Sequence, residues 1–108
     1  MRLKFQDLAP SKFSEREFTE AEISKAFGNS LKALRSYKKL SLNALSEKVD
    51  IPNPTINRYE NGINIPTITQ ALKLTDFFNV TIEEMVVFGM VDTKGEKIVE
   101  CCKKREGN

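Results

Sequence analysis

The chain has 108 residues, with 17 Lys and Arg against 15 Asp and Glu, two cysteines and no histidine. That length fits one domain with short appendages. No run approaches the roughly eighteen apolar residues of a membrane span, and the charged opening MRLKFQDLAP lacks a signal-peptide pattern, so a cytoplasmic protein is expected. Cys101 and Cys102 are adjacent and read as reduced thiols rather than a bridge. Without histidine there is no zinc set, and the commonest general base is missing. No Gly-rich phosphate loop or nucleophile–base pair can be read either. The expectation is a protein that is not an enzyme and has no metal or cofactor.

Charge is unevenly spread. Residues 1–27 carry five of each sign, and residues 67–108 carry six positive and seven negative. Residues 28–66 hold six positives (Lys32, Arg35, Lys38, Lys39, Lys48, Arg58) and three negatives (Glu47, Asp50, Glu60), so six minus three leaves +3 there. A modest basic face of this kind suits phosphate contacts that weaken with salt, although many solvated faces look the same.

In chain order, Met1 to Gln6 alternates Leu3 and Phe5 with polar residues, as a short strand would, or is a tail. Thr19-x-x-Glu22 is a capping box with Phe18 and Ile23 as a staple, opening a long helix. Ile23, Phe27, Leu31 and Leu34 form its stripe, Gly28 marks a possible break, and the end falls near Tyr37 to Lys39. Ser41 caps a second helix with Leu42, Leu45 and Val49 on one face, ending at Asp50. After Ile51-Pro52, Asn53 is expected to cap a third helix with Pro54 at its first position, Ile56 and Tyr59 inward and Gly62 as the left-handed stop. Thr67-x-x-Gln70 and Thr81-x-x-Glu84 then open a fourth and a fifth helix, the last ending near Val87.

The expected core is Phe27, Leu31, Leu34, Leu45, Val49, Ile56, Tyr59, Ile68, Leu72, Leu74, Phe77, Val80, Ile82 and Met85, each contributing roughly 1.5–3 kcal/mol if fully buried. Beyond Phe88, the β-branched Val91, Ile98 and Val99 with Lys94-Gly95 between them suggest a hairpin, with a continued helix or a frayed tail as the other readings. Such a hairpin would need a third strand or a second subunit.

Leu31, Arg35, Ser41, Leu45 and Val49, then Thr55, Ile56, Arg58, Glu60-Asn61-Gly62 and Pro66, then Leu72, Val80 and Ile82, resemble the helix-turn-helix of the lambda-repressor/Cro-like family. The likeness runs from Phe27 to Val87. It implies an all-α, five-helix DNA-binding domain over residues 19–88. Residues 1–18 and 89–108 would be extensions, with possible short β-strands in each.

The resemblance also implies a transcriptional regulator that places its third helix in the major groove of double-stranded DNA. Asn53, Pro54, Asn57 and Arg58 would then face bases, and Thr55, Asn61, Lys38 and Lys39 would lie along phosphates. Arg35 would pair with Glu60 to fix that helix. Asn57 and Arg58 carry the groups suited to adenine and guanine edges. This chain departs from the family pattern at Leu42 (usually a phosphate-binding Gln), at Asp50 (usually Gly) and at Pro54 (commonly a polar base-reader).

One short helix reads few base pairs, so a homodimer on a palindromic site is expected, with an interface through helix five and the tail strands, on the evidence of the apolar Val86, Val87 and Phe88. The competing function is a protein-interaction module on the same fold, an antitoxin-like or anti-repressor-like partner.

Overall fold

A computed structural model describes residues 18–106. Among them are six helices and no strand: α1 (Glu20–Tyr37), α2 (Leu42–Val49), α3 (Asn53–Glu60), α4 (Ile68–Phe78), α5 (Ile82–Val91) and α6 (Glu96–Glu106). The alternating Met1 to Gln6 stretch lies outside the described residues.

Local chemistry sets the helix starts. In α1 the Glu22 amide donates to Thr19 Oγ1 (3.1 Å), and the Thr19 amide donates back to the Glu22 carboxylate (3.1 Å). Thr81 and Glu84 repeat the exchange at α5. At α4 only half of the box forms. The Gln70 amide donates to Thr67 Oγ1, while the Gln70 side chain accepts from the Tyr59 hydroxyl.

The long α1 is the axis of the bundle, packing against α5, α3 and α6. Its Phe27, Leu31 and Leu34 meet Leu45, Ile56, Leu74, Phe78 and Met85 in one buried cluster. Inside that cluster the Ser30 hydroxyl donates to the Met85 carbonyl (2.7 Å), so this fully buried polar group of α1 is satisfied.

The expected break at Gly28 is absent, and α1 runs through it. A Cβ there would stand 2.8 Å from the Glu60 carbonyl oxygen and closer still to that of Tyr59. Glycine is used because it lets the end of α3 lie directly on α1.

Two core expectations fail. Ile68 and Leu72 are 72% and 54% exposed. Ala71, Leu74, Thr75 and Phe78 form the inward face of α4, which leaves Ile68 and Leu72 at its solvent edge. Phe77 and Ile82 are only partly buried against the cluster.

The hairpin is also overturned. Residues 93–95 do turn, with Gly95 at φ 82°, but α6 follows. The Asp92 carboxylate accepts from the Lys94 (3.1 Å) and Lys97 (2.9 Å) amides, which fixes the start of that helix. The Lys97 amide holds the Asp92 carboxyl below its ordinary value against an opposing desolvation, with help from the Lys94 and Glu96 amides. Ile98 and Cys102, one turn apart, are both fully buried. Their spacing of four outweighs the β-branched composition. The Cys102 thiol reaches the Phe78 carbonyl, and α6 packs along α5 and α1. Helix α5 accordingly runs on to Val91.

Candidate nucleic-acid interface

The turn between α2 and α3 is built from short-range bonds. Ser41 Oγ accepts from the Ala44 amide (3.0 Å) and starts α2. Asp50 ends it in the left-handed region (φ 56°, ψ 51°), the conformation that a short polar side chain tolerates where glycine is usual. The Ser46 hydroxyl then donates to the Ile51 carbonyl (2.6 Å), and the Ile51 side chain is 1% exposed. Ile51 is a buried anchor of the turn that the sequence reading passed over, because one apolar residue between two helices has no periodicity to reveal it.

Asn53 does not cap α3. Pro52 occupies the cap position with no side-chain bond, and its carbonyl accepts from the Thr55 and Ile56 amides (3.0 and 3.1 Å). The Asn53 side-chain amide instead donates to the Asn43 side chain on α2. A cross-helix bond of this kind fixes the opening of α3 relative to α2. Nothing in the sequence singles out Asn43.

Along α3, Ile56, Tyr59 and Glu60 turn inward, while Pro54, Asn57 and Arg58 are exposed and Thr55 is half-buried. Asn57 Oδ1 accepts from Asn61 Nδ2 (3.3 Å). The Arg58 guanidinium has no hydrogen-bond or ion-pair partner among the described residues. Gly62 closes the helix at φ 71°.

Arg35 connects three elements. Its Nε donates to Glu60 Oε2 (2.6 Å), Nη2 to Glu60 Oε1 (3.0 Å) and Nη1 to the Leu40 carbonyl (2.9 Å). The fork therefore joins α1, the α1–α2 turn and the end of α3. The Glu60 hydrogen bond raises the already high Arg35 pKa against the opposing effect of burial. The Glu60 side chain is 4% exposed, so a charge sits almost out of water and is held by Arg35, its one ionic partner among the described residues.

The two lysines of the α1–α2 turn differ. Lys39 is exposed, in the left-handed region at φ 58°. Lys38 pairs with Glu106 at the far end of α6. The surface thus groups Pro54, Asn57, Arg58 and Asn61 on and beside α3, while Lys38 has an internal ionic partner and Asn53 is bonded to α2. Among the described residues no cluster of His, Cys, Asp and Glu could hold a metal ion, and no helix is long and apolar enough to cross a membrane.

A family model described as helix-turn-helix matches residues 31–85, from the second half of α1 to Met85 in α5 and just over half of the chain. Nothing among curated proteins or solved structures matches significantly.

Proposed function

The chain belongs to the lambda-repressor/Cro-like helix-turn-helix family, whose members are DNA-binding regulators, and we propose from this premise that it reads the major groove with α3 as a homodimer on a two-fold operator. The observation that carries the reading is the exposed pair Asn57 and Arg58 on a helix whose inner side is locked by Arg35 and Glu60. An unpartnered guanidinium on a rigid element can take guanine O6 and N7 together, and an Asn amide can take adenine N6 and N7. Pro54 supplies no donor and would touch a thymine methyl. Thr55, Asn61, Lys38 and Lys39 would lie along the backbone, with Asn53 beside the bases through its tie to Asn43.

A homodimer is proposed because an eight-residue helix spans only about 12 Å and covers few base pairs. Among the described residues beyond Phe88 there is no strand, and α6 covers part of α5, with Val86 buried and Val87 and Phe88 half-buried. We therefore assign the interface to the more exposed strip of Ile63, Ile65, Ile68 and Leu72.

That strip also favours the second reading, a module that binds another protein through the same fold. Footprinting on DNA flanking the gene, with Asn57→Ala and Arg58→Ala as controls, separates the two. Loss of a wild-type footprint with retained partner pull-down supports the regulator. An absent footprint with partner capture supports the interaction module.

A further inference from the structure

At the end of α6, one acidic side chain is held by two groups of α1 and its C-cap. The Tyr37 hydroxyl donates to Glu106 Oε1 (2.8 Å), and the Lys38 ammonium pairs with Glu106 Oε2. The Lys38 and Lys103 ammonium groups stand 5.7 and 5.4 Å from the Tyr37 ring centroid. A hydroxyl donor and one cation thus meet where a carboxylate sits, and a second cation stands over the ring that carries the hydroxyl. The cluster is half-exposed, and Lys39 beside it has no ionic partner among the described residues.

The cluster is also mechanically linked to α3. It adjoins the turn whose Leu40 carbonyl is held by Arg35, and the same guanidinium holds Glu60. An anion bound here would therefore be in fixed register with Asn57 and Arg58.

We infer that Tyr37, Lys38 and Lys103 form a phosphate-binding site for the DNA backbone, which brings α6 into the DNA footprint, and that the Glu106 carboxylate is an internal stand-in that a backbone phosphate displaces. The inference rests on the DNA-reading function proposed above. Its chemistry is that of any basic groove edge, a charge-assisted bond from ammonium to phosphate oxygen with a hydroxyl as second donor. Glu106 lowers affinity by competing for Lys38 and the Tyr37 hydroxyl, while Lys103 adds a contact from outside the helix-turn-helix itself.

The test uses the full chain and a labelled, mixed-sequence DNA duplex titrated over a series of salt concentrations, with thermal melting to confirm that each variant is folded. Lys103→Gln should reduce the slope of log affinity against log salt by about one, the value for one lost phosphate contact. Glu106→Gln should bind more tightly than wild type at every salt concentration. Lys97→Gln, at the other end of α6, should change the slope far less. Equal slope changes for Lys103→Gln and Lys97→Gln, or unchanged affinity in Glu106→Gln, would overturn this site while leaving the DNA reading intact. A folded wild-type chain that binds no duplex even at low salt would overturn both.

Discussion

Arg35 and Glu60 are the residues on which the position of α3 depends. Glu60 is nearly dry, and Arg35 is its one ionic partner among the described residues. Arg35→Ala should therefore destabilise the fold by about 3 kcal/mol in urea titrations, because an unpaired buried carboxylate remains. The Arg35→Ala/Glu60→Ala double variant should lose much less than the sum of the single losses. Additive losses would mean that the pair is decorative. Gly28 is a second fixed point. Alanine there gains about 1 kcal/mol of helix propensity, but its methyl would press on the Tyr59 and Glu60 carbonyls. Gly28→Ala should cost about 1–3 kcal/mol net, as overpacking does. Unchanged melting would show that α3 can shift away freely.

At the scale of elements, α5 and α6 are joined by Glu84 and Arg105 in two bonds of 2.6 Å, with the Cys101 thiol donating at 3.3 Å. Burial opposes ionisation of Glu84, but the Arg105 guanidinium, the Thr81 amide and the Cys101 thiol outweigh it and hold the pKa at about 2, from an ordinary 4.5. A lowered folded pKa adds stability above the unfolded value and loses it as pH falls through the folded one. Stability should therefore decline between about pH 4.5 and 2. Arg105→Gln should flatten that decline, by about 1 kcal/mol in denaturant titrations at pH 7 and 3. The modest size reflects solvent screening, since the Arg105 side chain is 37% exposed. An unaltered acid limb would remove Glu84 from the account.

Legibility followed the same chemistry. Capping signals at Thr19, Ser41, Thr67 and Thr81 reveal α1, α2, α4 and α5, because a side-chain cap is encoded within four residues. Sequence pattern favours a hairpin over helix α6 because the start of α6 rests on Asp92, four residues before Glu96 and across a turn, and its buried face is the single pair Ile98 and Cys102. At the interface, the inward Ile56 and Tyr59 and the outward Asn57 and Arg58 follow from helical period. The Asn43–Asn53 bond and the Glu106 contacts depend on how helices cross, which no local pattern carries.

For the whole molecule, the exposed strip of Ile63, Ile65, Ile68 and Leu72 makes assembly the quantity to measure. Ile68→Asp should convert a sedimenting dimer to monomer while Val87→Asp leaves it intact. The opposite pattern would move the interface to α5, and a monomeric wild type at micromolar concentration would remove the homodimer. The reading of DNA itself turns on which groove the protein enters and with which side chain. Dimethyl sulfate probing of guanine N7 on the footprinted DNA answers this most directly. Wild type should protect major-groove guanines in two half-sites about one helical turn apart, and Arg58→Ala should lose that protection while remaining folded. Protection that survives Arg58→Ala, or a footprint with every guanine N7 still reactive, would contradict the account.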